Sequence, residues 1–270
     1  MKTIIVVSDL HIGSLVGLCS PDARMDGGDR VKLNKIHNTL WRYWNDFWDV
    51  FVPGQIQGSE KTVIEINGDL IDGNHHNTVT LWTNDTDTQA ANTVDLLKPL
   101  KTFGDIYIVR GTEAHSGPGS KAEERIAREL GVKPNENGDY SVWQLVVQVE
   151  SQIFNFAHHI GVTSSAAYET SAPMREMVAA LVEASQWNRP LPTVYVRSHR
   201  HRFIPVSIPT SLGRFMSIIT PGWQARTPFS ERIDRMRMPH IGGIVFRVED
   251  GVCECREKLY PLPDPEPIRI

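Results

Sequence analysis

Apolar and polar positions change period several times along this chain, and each change marks an element. Thr3–Val7 is an uninterrupted β-branched run closed by Ser8-Asp9, as in a strand buried on both faces. From about Val31 to Val52 the period becomes helical, and Leu33, Ile36, Leu40, Trp44, Phe47 and Phe51 form one apolar stripe. The crowding of Trp41, Trp44, Phe47 and Trp48 reads as core packing rather than a base-stacking platform, and Pro53-Gly54 is expected to end the helix. Thr62–Ile66 predicts a second buried strand, a helix follows near Thr88–Leu100, and Ile106–Val109 predicts a third strand. Ser120-Lys121-Ala122-Glu123 has the form of a capping box, opening a helix buried through Ala122, Ile126 and Leu130 and stopped at Gly131.

In the second half strands dominate: Val142–Val149, Ile153–Ala157, Thr193–Val196, Phe203–Ile208, Phe215–Ile219, Ile244–Val248 and Val252–Arg256, with Asp250-Gly251 a hairpin signal. One helix is expected among them, with Met174, Met177, Val178, Leu181 and Val182 on its inner face. Strand–helix alternation followed by successive strands predicts two sheets packed face to face with helices outside. No linker-like stretch interrupts the chain, so residues 1–270 read as one domain, with 261–270 a proline-rich extended tail.

Composition narrows the function. With 40% apolar and 22% charged residues, the chain has the balance of a soluble enzyme with a sizeable core. A net charge of −4 argues against a surface that coats polyanions but leaves room for a local phosphate site. Cys19, Cys253 and Cys255 give neither a disulfide framework nor a CxxC metal pair, and read as buried small hydrophobes. The apolar run before Ser8 is too short for a signal peptide, and no later stretch suits a bilayer, so a cytoplasmic protein without membrane contact is expected.

Five polar clusters each follow a predicted strand: Asp9-Leu10-His11, Gly68-Asp69-Leu70-Ile71-Asp72, Gly111-Thr112-Glu113-Ala114-His115, His158-His159 and Ser198-His199-Arg200-His201. In α/β sheets ligands bind beyond the carboxyl ends of strands, so the five can meet in one crevice. Imidazole and carboxylate without thiolate suit borderline divalent cations such as Mn, Fe, Zn or Ni. Asp69 can bridge two ions with its two oxygens. Ions ~3.5–4 Å apart would share a water and lower its pKa. Taken singly, each cluster is more often structural; their order and strand-end placement reverse that.

The series D-x-H, G-D-x-x-D, an altered G-N-H-[DE], a late His and an altered G-H-x-H resembles the calcineurin-like metallophosphoesterases, from Asp9 to His201. The resemblance implies an α/β fold: a four-layer αββα sandwich of two mixed sheets flanked by helices. It implies a dinuclear site, with Asp9, His11, Asp69 and His201 on the first metal. Asp69, the third-cluster residue, His158 and His199 would hold the second. Thr112 stands where the family has Asn, and Glu113 where it has His. Either Thr112 or Glu113 is then the third-cluster ligand, and His115 is the candidate catalytic acid. Ser198 replaces a Gly. His158 is preferred to His159 as the fourth-cluster ligand. The altered third motif also resembles phage-encoded members, which would place the protein in a bacterium's cytoplasm or in a phage host.

Arg110, Arg200 and Arg202 are candidates for holding phosphate oxygens, and His75 and His76 for lining the mouth. A basic stretch, Arg226, Arg232, Arg235 and Arg237, reads as a solvated face. The expected reaction is phosphoester hydrolysis by in-line attack of metal-bound hydroxide, with two divalent ions, Mn first. The favoured substrate is a phosphodiester of nucleic acid or a nucleotide. The alternatives are a phosphomonoesterase or protein phosphatase, and a scaffold that has lost catalysis.

Overall fold

Every run read as a strand contains one. In order these are β1 (Lys2–Val7), β2 (Lys61–Asn67), β3 (Asp105–Val109), β4 (Leu145–Val149), β5 (Gln152–Phe156), β6 (Val194–Arg197), β7 (Ile204–Thr210), β8 (Gly213–Ile219), β9 (Ile241–Glu249) and β10 (Val252–Tyr260). This computed structural model describes residues 1–75, 79–161, 165–211, 213–233 and 238–263. Residues 264–270 of the proline-rich tail, and Arg235 and Arg237, lie outside that set.

The strands form two mixed five-stranded sheets, ordered β10-β9-β1-β2-β3 and β4-β5-β6-β8-β7. β1, β2 and β3 are parallel, as are β5, β6 and β8, while β9, β10, β4 and β7 pair antiparallel. The loops after β1, β2 and β3 therefore leave one edge of the first sheet, and those after β5 and β6 one edge of the second.

Alternation along β1 builds two cores. Ile4 and Val6 meet Phe154, Phe156, Val196, Ile218 and Phe246 between the sheets. Ile5 and Val7 point the other way, into a layer containing Leu40, Trp44, Phe47, Ile126 and Trp223. That layer comes from helices α1 (Lys35–Asp46), α2 (Val52–Ile56), α3 (Thr86–Leu97) and α5 (Lys121–Glu129), with a short α4 (Glu113–Ser116) before the last. α6 (Ser171–Trp187) packs Met177 against Tyr195, Val206 and Phe215 on the far face of the second sheet, completing four layers. A last short helix, α7 (Pro228–Ile233), precedes β9. No described helix is long and apolar enough to cross a membrane.

Several local expectations are corrected. Pro53-Gly54 does not stop the first helix. α1 passes through a π-helical turn, Phe47–Phe51, into α2, and this widened turn lies directly before Pro53. Val142 lies outside β4 and bridges Val109 of β3. On α6 the predicted apolar face is too wide, since Val178 and Val182 are 45% and 50% exposed. The capping box before α5 is not used as a cap: Ser120 is left-handed, with φ of 52°, and its side chain makes no capping bond. The Asp250-Gly251 hairpin holds, with φ of 53° and 75° at its two central residues, as a primed turn requires. Cys253 and Cys255 pack beside the inter-sheet core, as expected of small hydrophobes.

The inter-sheet core makes one prediction. Phe154 is fully buried, with Phe246 at 5.2 Å between ring centroids. Phe154→Ala should cost about 3–5 kcal/mol, read as a lower denaturant midpoint at unchanged slope. A cost below about 1 kcal/mol would mean that this ring does not join the sheets.

Candidate metal centre

Four of the five strand-end turns bring six ligand-type side chains together. Asp9 and His11 follow β1, Asp69 follows β2, His158 follows β5, and His199 and His201 follow β6. Five of them have left-handed backbones: φ is 54° at Asp9, 47° at His11, 51° at Asp69, 70° at His199 and 49° at His201. Non-glycine residues adopt this region at a cost, and its clustering at one place is a mark of a functional site. At the last turn the left-handed residue is His199, so Ser198 in the usual Gly position meets no strain.

Ligand atoms of Asp9, His11 and His201 lie within 4.8 Å of one another, as do those of Asp69, His158 and His199. His11 Nε2 and His201 Nε2 face each other at 3.1 Å. Two nitrogens bound to one cation at ~2.1 Å stand about this far apart. Both Asp9 oxygens are buried without a hydrogen bond, and the nearest imidazole nitrogen, His201 Nε2, is 3.3 Å away. Asp69 Oδ1 accepts from Thr112 N at 2.6 Å and Thr112 Oγ1 at 3.0 Å. Its Oδ2 faces His158 Nε2 at 3.0 Å and His199 Nδ1 at 3.8 Å, and is the oxygen with which Asp69 would help to hold a cation.

Electrostatics points the same way. Burial alone would push Asp9 up, but His201 and His158 outweigh it and hold the carboxyl at about 2. Asp69 is likewise held well below the carboxylate range, burial being outweighed by His158 and His199. In return, Asp69 and Asp9 overcome the burial of His158 and raise it to about 10, and Asp9 raises His201. Buried carboxylates thus hold imidazolium protons where divalent cations would fit.

Surrounding groups fix the imidazoles, as outer partners of metal-ligating histidines do. His11 Nδ1 donates to Asp72 Oδ1 at 2.9 Å, and Gln224 Nε2 reaches the same oxygen at 3.0 Å. His158 Nδ1 donates to Asn67 O at 2.6 Å. A polar chain runs beneath: Asn67 Nδ2 to Ser198 Oγ at 2.6 Å, Ser198 to Thr220 at 2.7 Å, and Thr220 to Ser8 at 2.8 Å. Gly222 packs so tightly that a side chain there would press on Asp9 and His201. The Asp72 part was readable in its G-D-x-x-D position; Gln224, Thr220 and Gly222 carried no motif.

No family model and no curated protein matches the sequence. Among solved structures, a Vps29 double mutant from Entamoeba histolytica is similar at 10% identity and a TM-score of 0.39, covering 96% of this chain and 100% of that one. The E. coli phosphoesterase Yfce is similar at 13% and 0.41, covering 90% and 87%, and a Sphaerobacter thermophilus metallophosphoesterase at 12% and 0.41, covering 96% and 90%. Two mixed sheets lie between helix layers, with strand ends meeting at the Asp and His cluster. The fold is a four-layer sandwich of two mixed sheets between helices.

Within this site the expectation for the third cluster needs correcting. Glu113 is exposed, and its Oε1 accepts from Gly119 N at 2.7 Å, away from the cluster. It does not pair with Arg110 either. Thr112 holds Asp69 through its N–H and hydroxyl, a positioning part rather than a free ligand oxygen. His159 is exposed and outside both ligand sets, whereas His158 is buried and inside.

The arginines are engaged elsewhere. Arg110 bonds Ser141 and Glu124, Arg202 pairs with Glu169 at 3.0 Å, and Arg200 donates to Glu169 O at 3.1 Å. His75 does approach the site, its ring 4.4 Å from that of His115, and Asp72, His75 and His115 form a further potential ligand group. His76 lies outside the described residues. His115 also groups with His11 and Asp69, its Nε2 3.9 Å from Asp69 Oδ2. Its Nδ1 donates to Asp72 O at 2.7 Å, and burial together with His11 pushes it down to about 4. Neutral His115 therefore presents a lone pair at Nε2, not the proton expected of a resting acid.

Because ligand imidazoles must be neutral, cation binding should expel protons held by His158 and His201. Calorimetric titration with Mn²⁺ at pH 7 in buffers of different ionisation enthalpy should give on the order of one to two protons released per chain. No release would contradict the ligand assignment. The metal-free protein should also lose stability in alkali. His158 is raised, so its contribution is complete below 6.5 and is lost as pH climbs through about 10. Chelator-treated protein should accordingly melt at a lower temperature at pH 10 than at pH 6.

Proposed function

We propose that this chain is a metal-dependent phosphoester hydrolase, with a phosphodiester of nucleic acid or a nucleotide as the favoured substrate. The reading rests on one observation above all: Asp9, His11 and His201 in one set and Asp69, His158 and His199 in the other converge from separate strand ends with buried, mutually facing ligand atoms. A pair of divalent cations in these sets, Mn first and Fe, Zn or Ni as alternatives, would supply charge for phosphoryl oxygens and acidify water.

The chain's own residues supply the rest. Asp69 is fixed by Thr112 so that Oδ2 faces His158 and His199. Asp72 and Asn67 hold the His11 and His158 rings in one orientation. His115 takes up a proton at Nε2 only when a nearby anion favours its charged form, and a bound phosphoester provides that anion. His115 then passes the proton to the leaving oxygen, acting as a general acid. Preference for a diester follows from the arginines. With Arg110, Arg200 and Arg202 committed to protein partners, the site has little to clamp the extra charge of a terminal phosphate.

Asp69→Asn should lose bound metal and turnover together, each by at least about tenfold; normal occupancy with full activity would remove Asp69 from the centre. His115→Gln should keep its metal while kcat falls by about 10²–10⁴, and joint loss of metal would make His115 a ligand instead. With Mn²⁺, bis-p-nitrophenyl phosphate, single-stranded DNA or a cyclic nucleotide should turn over faster than p-nitrophenyl phosphate. A preference for the monoester would favour the phosphomonoesterase reading. Bound metal without turnover on any of them would favour the scaffold, which the displaced Glu113 makes a coherent second reading.

A further inference from the structure

Glu123 is fully buried on α5, and its carboxylate turns away from its own helix. Oε2 accepts from Gly111 N at 2.6 Å, and Oε1 from Leu70 N at 3.4 Å. These amides belong to the two loops that build the third and second clusters. The loops are in backbone contact, since a side chain on Gly111 would collide with the Asp69 amide and carboxylate. Three consecutive elements of one hydrogen-bond pattern result. Glu123 takes the amides of residues 70 and 111, and Asp69 takes the amide of residue 112.

The start of α5 is arranged around this contact. Ser120 is held left-handed without capping its helix, and its Oγ donates to Gly111 O at 3.4 Å. Both residues of the apparent capping box therefore hold Gly111, one at its carbonyl oxygen and one at its N–H. The Asp69 backbone is itself left-handed, a conformation that surrounding bonds must maintain.

We infer that Glu123 is a positioning residue of the metal centre: by tying Gly111 N to Leu70 N it sets where Asp69 Oδ2 points. It touches neither substrate nor cation. The inference rests on the metal-centre reading above. Outer groups of this kind typically change metal affinity by about 10–100-fold when removed.

The test compares Glu123→Gln with Glu123→Asp. Gln keeps one acceptor, at the Gly111 amide, and sets its NH2 group against the Leu70 N–H; Asp keeps two acceptors but withdraws both by one methylene. Co²⁺ titration of the metal-free full chain, followed by the visible d–d spectrum, reports affinity and coordination geometry, and thermal melting reports folding. Both variants, still folded, should bind Co²⁺ at least about tenfold more weakly than wild type with an altered spectrum, since each breaks the tie between the two amides. Wild-type affinity and spectrum in either folded variant would overturn the inference. Wild-type protein that takes up no Co²⁺ would instead bring down the metal-centre reading, and this inference with it. Should neither variant fold, amide exchange in the wild type decides: Gly111 N–H should be among the slowly exchanging loop amides, and exchange at an open-loop rate would refute its bond to Glu123.

Discussion

Two carboxylates buried where hydrogen-bond donors are scarce set the terms for the rest of this molecule. A carboxylate removed from water is strongly destabilising unless a positive partner faces it. Asp9 has no hydrogen bond at either oxygen, and Asp69 has amide and hydroxyl donors on one oxygen only. What remains is faced by imidazoles, which can answer with their own protons or with shared cations. The left-handed turns at Asp9, His11, Asp69, His199 and His201 are the backbone's means of holding this arrangement. Each is unfavourable alone and persists because the sheets beneath leave it no alternative.

The site depends on the packing of one sheet on the other. Asp9, His11 and Asp69 extend from the first sheet, and His158, His199 and His201 from the second. The inter-sheet core of Ile4, Val6, Phe154, Phe156 and Phe246 lies directly behind these strand ends. Where apolar packing gives way to the site, Ser8, Thr220, Ser198 and Asn67 continue the contact as hydrogen bonds between the sheets. Each ligand set draws on both sheets, so a relative shift of the sheets would split both sets. Close packing resists such a shift because interdigitated side chains have few voids to move into.

Much of this was legible along the chain. Buried parallel strands read as continuous β-branched runs, so β1, β2 and β3 announced themselves. Polar residues immediately after such runs have one usual place to go, the carboxyl edge of the sheet, and Asp9, His11, Asp69, His158, His199 and His201 went there. Less legible were features governed by competition between local and distant partners. Ser120 and Glu123 match a capping pattern, but two loop amides outbid the helix's own terminus for the carboxylate. Pro53-Gly54 looks like a stop, but a widened turn before it lets the helix continue.

The sequence by itself determined the strands, the layer each faces and the residue types gathered at their ends, because these follow from a local period and from the chemistry of side chains. Only the tertiary structure decided which of those residues meet. Glu113 and His115 lie two apart, yet the short turn of α4 sends the first out to Gly119 and the second in toward Asp69. Arg110, Arg200 and Arg202 carry the right charge for phosphate, but Glu124 and Glu169 reach them first. Direction and partner choice depend on residues tens or hundreds of positions away, and no local pattern in a single chain encodes them.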